Sequence, residues 1–471
     1  MSDSIVDQTA HARMRGTMVV NLTRVVPAGF ETFPVLDLRD AAFHEDVNGC
    51  LRELRKKSVV CRIEPLGVTG LLKWNECDTV LRDFKTFSAE FERSLPIPGA
   101  EVETKIDTLL REDPPKHTRV RALMQQAFTP QRVNAMEPHT REITRRLIDK
   151  IFAQGNECEF VHQFGLPLPS TVMSGLLGVD ESMMESFKQW ADSMMGSSTA
   201  HAIKDEALRK KRYEEIAKDA KDMEAYLQSK MEERKKQPQH DLISYLIQSS
   251  EGGDRLTERE VLTLCKLAVI AGNDLTTKAI VNALDCMMKH PEQMKMVADD
   301  LSLAANAFEE SLRYFGPVIF LQRQVLHDTE LAGIHFPKGA VVAPIVASAN
   351  HDEDVFEKPE VFDIRRKLPR ILSFSSGNHQ CIGQPLARLE ARVAFEEWFA
   401  RVSSFSIKGD PEVCTQLGLR GYEKLGVSFE PRTSASGTTP GDSMTQVMAT
   451  ADKIADMSDQ QLGLDKRQTM T

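Results

Sequence analysis

The chain has 471 residues, enough for one large domain or several and for a sizeable core. A hydrophobic share of 41% beside 27% charged residues is ordinary for a soluble globular protein, and the net charge of -10 argues against a general affinity for nucleic acid or anionic membranes. The eight cysteines are scattered, with no CxxC pair and no secretory apolar segment, which argues against a disulfide framework or a zinc ribbon and fits a reducing cytoplasm. Residues 1–24 are polar and hold no apolar run of the roughly 18 residues that span a bilayer, so no membrane anchor is expected.

Up to about Asp37 the chain is a poorly periodic arm broken by Pro27 and Pro34. Residues 58–63 and 70–74 alternate like two strands of a hairpin, and a helical stretch follows over 75–81. Pro96, Pro98 and Gly99 mark a loop. Next, Asp113 is placed to cap a helix whose first turn suits Pro114 and Pro115. His117 and Arg121 stand four residues apart on one face of it, where two cations can meet two carboxylates. Helical patterns fill 133–151 and 182–195, and a charged helix runs over 204–236 until Pro238 stops it. Most of that charge reads as a solvated face. Phe187, Trp190 and Met194 recur at the spacing of a packed helix face, which would also suit a pocket roof.

Thr257 with Glu260 three residues on is a capping-box pattern, opening a long apolar helix over 261–284. Inside it lies Ala271-Gly272-Asn273-Asp274-Leu275-Thr276-Thr277. The small Ala271 and Gly272 would let a ligand approach the backbone, while an acid followed by hydroxyls is expensive to bury without partners or work. Further on, Glu310 and Arg313 share a helix face and pair. An apolar run over 317–322 reads as a strand, and 331–339 as a hairpin continuing into a strand over 340–345.

Phe374-Ser375-Ser376-Gly377-Asn378-His379-Gln380-Cys381-Ile382-Gly383 is a tight, low-bulk loop, running into a helix over 384–399 with Leu386, Leu389 and Val393 on one face. A cysteine at a helix mouth sits among free N–H groups and the positive end of the dipole, which favour its thiolate. Such a sulfur is a metal ligand or a nucleophile. The glycines clear space for a large flat cofactor and leave amides free to point at the sulfur. A lone cysteine there would instead pack as a small hydrophobe. Residues 416–421 look like a last hairpin, and the Ser/Thr/Gly-rich piece from 433, with a short helical pattern at 444–457, has the composition of a flexible tail.

The order Phe374, Gly377, His379, Cys381, Gly383 resembles the haem-binding loop of the cytochrome P450 haem-thiolate monooxygenases, and the ordered set of motifs extends that resemblance over about 58–429. It implies a mainly α fold with a small β region: an arm over 1–37, a catalytic domain over 38–432 and a tail over 433–471. Haem b (iron protoporphyrin IX) would lie between the central long helix and the Cys381 helix. Cys381 is then the axial iron ligand, with Phe374, Gly377, His379 and Gly383 shaping the cofactor loop and His117, Arg121 and Arg323 reaching the propionates. Glu310, Arg313 and Arg366 form a buried network that holds the loop. Ala271, Gly272, Asp274, Leu275 and Thr276 are the oxygen-activation stretch.

This chain departs from the family pattern at Ser375, where the family has Gly, at Leu275, where it has the key Thr, and at His351, where it has Arg. Either Thr276 takes over through a local bulge, or protons arrive through Asp274 and water beside an apolar Leu275. The second is preferred, because successive helix residues point about 100° apart.

The resemblance implies insertion of one oxygen atom from O2 into a small lipophilic substrate by hydroxylation or epoxidation, with a lean to terpenoids, steroids or fatty acids. Electrons would come from NAD(P)H through a ferredoxin reductase and a ferredoxin docked by cations such as Lys116, Arg119 and Arg392. Two other classes stay open on sequence alone: a haem-thiolate enzyme that uses peroxide, isomerises or dehydrates, and a non-catalytic haem-binding sensor.

Overall fold

The computed structural model describes residues 25–90, 109–200, 203, 205–249, 256–414 and 416–432. The loop expected at 96–99, the start of the arm and the tail from 433 with its helical pattern lie outside the described residues.

A six-stranded sheet flanks a larger helical body. Its strands are β1 (Val35–Asp37), β2 (Val60–Glu64), β3 (Val68–Leu71) and β4 (Phe87–Ser88). Two later strands complete it once β5 (Glu157–Glu159), which joins another sheet, has been passed: β6 (Arg323–Val325) and β9 (Val341–Pro344). The order is β1-β2-β3-β9-β6-β4. The expected hairpin is β2 against β3, with Val60 opposite Leu71 and Ile63 opposite Val68. β1 lies within the stretch assigned to the arm and pairs in parallel with β2.

The expected strand over 317–322 does not form a ladder. Its N–H groups are divided between two partners, Ile319 donating to the Gly418 carbonyl and Leu321 to that of Pro344, so regular pairing begins only at Arg323. β7 (Thr329–Leu331) and β8 (Ile334–Phe336) make the later hairpin. Its two turn residues, Ala332 and Gly333, both have positive φ, 54° and 73°, the handedness that matches the twist of the strands.

The helices that carry the site are α1 (Trp74–Arg82), α2 (Lys116–Gln125), α3 (Glu137–Phe152), α4 (Pro167–Leu177), α5 (Met184–Ala200) and α6 (Glu206–Lys236). They continue with α7 (Glu258–Ala271), α8 (Asp274–Lys289), α9 (Ala304–Phe315) and α10 (Gln384–Arg401). Phe187, Trp190 and Met194 of α5 are core: the rings of Phe187 and Trp190 each lie 5.8 Å from that of Tyr226 on α6. Among the described residues, no helix is long and apolar enough to cross a membrane.

The central helix, expected as one piece, is two. The capping box at Thr257 and Glu260 opens α7, but the ladder breaks at Gly272 and Asn273. The Asn273 side-chain amide donates to the Val269 carbonyl at 2.8 Å, taking the acceptor its own backbone N–H would use in an unbroken helix. The ladder restarts when the amide and hydroxyl of Thr277 both donate to the Asn273 carbonyl, at 3.0 and 2.9 Å. Gly272 is closely packed: a Cβ there would sit 2.3 Å from Cε of Met173 on α4 and 2.9 Å from the Ala268 carbonyl oxygen.

Glu390, inside α10, is 2% exposed and its Oε2 has no hydrogen-bond partner. Burial pushes its carboxyl up to about 8. The unfolded chain therefore releases a proton that the folded chain keeps between about pH 4.5 and pH 8, so folding stability falls with rising pH by about 1.4 kcal/mol per unit. Glu390→Gln is expected to abolish that slope. Between about pH 5.5 and 7.5, urea unfolding followed by tryptophan fluorescence should show the parent losing about 3 kcal/mol relative to the variant. Parallel pH profiles for the two proteins would contradict a neutral buried carboxyl.

Candidate functional site

The loop before α10 is folded by its own backbone. The amide of Cys381 donates to the Phe374 carbonyl at 2.8 Å and that of Gln380 to the Gly377 carbonyl at 3.1 Å. Gly377 has φ +67°, and a Cβ on it would lie 2.8 Å from both Cα of Arg82 and the Leu81 carbonyl oxygen, so α1 can approach only a glycine. Ser375, where a glycine was expected, has φ 63° and so keeps the left-handed conformation despite its side chain. Its buried hydroxyl also has no partner. Ser375→Gly is therefore expected to raise stability by about 1 kcal/mol, seen as a higher urea midpoint with unchanged haem loading.

Cys381 keeps open surface of its own, yet burial is the largest influence on its thiol and raises its pKa. Both hold for a sulfur on the wall of an interior cleft. The amides of Gly383 and Gln384 and the charges of Arg121 and Arg388 pull the other way without prevailing. The amides at the helix mouth favour the thiolate, as expected, but desolvation outweighs them.

Four basic groups converge beside this loop. The rings of His117 and His379 lie 4.4 Å apart, and Arg121 donates to the Gln380 carbonyl at 2.7 Å. Arg323 is 4% exposed, donates to the Gln322 carbonyl at 2.8 Å and makes no ion pair among the described residues. Burial first, then the neighbouring cations, lowers His117 to about 4 and His379 to about 3; burial lowers Arg323 to about 10. His379 is thus neutral near pH 7, and its 4.0 Å approach to Asp113 is not an ion pair. The Nε2 atoms of both histidines are buried without a partner. Asp113, expected from sequence to cap α2, does not do so; its carboxylate accepts from Ser88 and from the Ala89 amide instead. Two guanidinium groups without an ion pair and two imidazole nitrogens without a partner, among the described residues, suit a ligand with two carboxylates, and the soft sulfur suits iron, so these residues fit haem b.

Glu310 accepts two bonds from Arg313, both 2.8 Å, one from Arg366 at 3.2 Å and one from the Asp363 amide at 3.0 Å. Arg313 is 0% exposed and spends its remaining N–H groups on the carbonyls of Asn350, Pro359 and Val361. These three residues come together as the sequence suggested. His351, beside them, is buried with Nδ1 bonded to the Ala347 carbonyl at 3.0 Å.

In the interrupted helix, Ala271 is exposed and Leu275, one turn later, is partly exposed. Thr276 lies in regular helix, since the break falls before Asp274, so no bulge turns its hydroxyl toward the face of Leu275. Asp274 is bonded by Lys278 of the next turn, whose Nζ also lies 3.6 Å from Glu423. Burial pulls the Lys278 pKa down, but Asp274 and its neighbours more than offset this, and the ammonium stays charged.

Lys278 went unnoticed in the sequence, where a Lys four residues after an Asp is the commonest of surface pairs. The tie of the loop to α1 was likewise hidden: the Ser376 hydroxyl donates to Asp78 at 2.6 Å while Arg370 holds both. Their partners are about 300 positions apart and carry no local signal. The cations expected to dock a partner are all engaged, Lys116 with Glu112, Arg119 with Glu260, and Arg392 with Glu137 and Glu396.

The profile of the cytochrome P450 family matches residues 72–418. The putative cytochrome P450 YjiB of Bacillus subtilis is 35% identical over 341 residues, 72% of this chain and 83% of that protein. Among solved structures, P450BioI in complex with acyl carrier protein ligated to hexadec-9Z-enoic acid superposes with a TM-score of 0.74 at 29% identity, covering 83% of this chain and all of that one. CYP109E1 from Bacillus megaterium in complex with testosterone gives 0.73 at 30% identity, with 81% and 97% covered. By the match of that profile and by this level of identity, the chain belongs to the cytochrome P450 family, whose members are monooxygenases that bind haem b.

Proposed function

We propose that the protein hydroxylates or epoxidises a lipophilic small molecule in the cytoplasm, with electrons passed from NAD(P)H by a ferredoxin reductase and a ferredoxin. The observation that carries this reading is Cys381 itself, a cysteine exposed just before α10 while the amides of Gly383 and Gln384 point at its sulfur. Bound haem supplies the activation of O2, helped by electron density from its thiolate ligand. The chain's own residues do the rest. Cys381 holds the iron; His117, Arg121, Arg323 and His379 hold the propionates; Phe374, Gly377 and Gly383 shape the loop. Glu310, Arg313 and Arg366 fix that loop in place. Asp274 passes protons inward. Leu275 and Ala271 present carbon to the guest and keep water off that wall, while Thr276 is turned about 100° from it. The catalytic domain is taken to span 38–432.

Two similar proteins hold testosterone and a carrier-bound hexadecenoic acid, both extended apolar guests, which supports a steroid, terpenoid or fatty acyl substrate here. For the electron donor, a groove of about 630 Å³ beside Phe374 and Gln380 offers Arg365 and Lys367, next to Arg370 and Arg388, which are paired with Asp78 and Glu309. An acidic ferredoxin suits it, and its nearness to the Cys381 loop shortens the electron path.

The test supplies NAD(P)H, ferredoxin and reductase, with substrates chosen by screening lipophiles for a haem spin-state shift, and compares NAD(P)H consumed with product formed. Product commensurate with NAD(P)H is the expected result. Turnover with peroxide alone would favour the peroxide-using class, and none with any bound lipophile would favour a sensor.

A further inference from the structure

We infer that Lys278 is a positioning residue: it holds the Asp274 carboxylate at the inner end of a polar crevice, so that protons reach the helix interruption from solvent beside His162, Asp192 and Glu423 and not through a hydroxyl at position 275. The inference rests on Asp274 being the proton donor of the reaction proposed above.

The crevice, about 40 Å³, has those three residues with Asn273, Asp274 and Lys278 among its polar lining, beside the apolar Val161, Leu166 and Ala191. That is room for a single water, which occupies about 30 Å³ in the liquid. Exposure falls sharply along it. The side chains of His162, Asp192 and Glu423 are 49%, 55% and 55% exposed, that of Asp274 23%, and that of Lys278 4%. At the inner end two buried acceptors, Asn273 Oδ1 and Asp274 Oδ2, have no donor among the described residues. A polar cleft with orphaned acceptors at its end is where a bridging water belongs.

Asp274 reaches only so far as Lys278 lets it, because the pair is closed within one helical turn. Leu275 points about 100° away, so the proton route and the apolar wall occupy different faces of α8. The net reaction takes up O2, two electrons and two protons, leaving one oxygen in the product and one in water. Asp274 gives protons inward and is reprotonated from the crevice, ending each turnover unchanged.

The test uses the haem-loaded protein with Lys278→Met, Lys278→Arg, and Lys278→Met combined with Asp274→Asn. In Lys278→Met, NAD(P)H consumed per product should rise about tenfold, with KM unchanged and a larger solvent deuterium isotope effect. Lys278→Arg should restore coupling, and adding Asp274→Asn to Lys278→Met should cost nothing more. Parent-like coupling in Lys278→Met, or losses that simply add, would overturn the inference. A second readout needs no turnover: the C–O stretch of the carbon-monoxide complex should shift in Lys278→Met and not in Lys278→Arg. An unmoved band overturns the inference. A shifted band in a protein that NAD(P)H cannot drive would support the positioning role while rejecting the proposed reaction.

Discussion

Glu310→Ala is expected to remove about 3–5 kcal/mol of stability and, with it, the retention of haem. The reason is what remains behind. Arg313 is 0% exposed, and without its carboxylate it becomes an uncompensated cation in the core, still tied to three carbonyls that hold it there. Arg366 and the Asp363 amide lose the same acceptor, so the segment that leads to the Cys381 loop loses its anchor. Arg366→Ala should cost less, about 1–3 kcal/mol, because its side chain is 12% exposed and leaves no buried charge. Urea midpoints and the ratio of haem to protein after purification check both. A Glu310→Ala protein within about 1 kcal/mol of its parent would mean that the network contributes little to the fold.

What could be read from sequence follows the range of the forces involved. The β2–β3 hairpin, the capping box at Thr257 and the helix after Gly383 are set by neighbouring residues, and the structure has them where periodicity and turn chemistry put them. The interruption of the central helix is also local in cause, but its cause is a side chain. Asn273 competes for the Val269 carbonyl, and neither hydrophobic period nor helix propensity reports such a competition. Other features depend on residues far away in the chain. Asp113 was free to cap α2 until Ser88 and Ala89 arrived beside it. The run over 317–322 had strand composition but found two partners instead of one. Lys116, Arg119 and Arg392 looked like free surface cations, and each had an acid waiting on the folded surface.

The departures from the family pattern sort themselves by the same physics. Ser375 keeps the backbone path by bearing the strain of a left-handed conformation, so that exchange is one of energy and not of geometry. On the function proposed above, Leu275 would change chemistry, because it puts an apolar side chain where the family has a hydroxyl and leaves Asp274, about 100° round the helix, to pass the protons. The buried His351 is bonded through Nδ1 to the Ala347 carbonyl while its Nε2 has no partner among the described residues, and nothing in the structure explains why it stands in place of an arginine.

The second large effect concerns the sulfur. Cys381 is the only strong soft donor that the loop offers; in its place alanine leaves the Gly383 and Gln384 amides with nothing to meet. Because burial raises the thiol pKa, iron bound at this position would have to displace the proton, and its bond to the sulfur would keep the thiolate there. Alanine at this position should spare the fold, whose anchor is the Glu310 network, while removing the iron ligand. The most direct measurement is the carbon-monoxide difference spectrum of the reduced, purified protein beside that of Cys381→Ala. The account predicts the thiolate-type band in the parent and its complete loss in the variant. An unchanged spectrum in Cys381→Ala would contradict it.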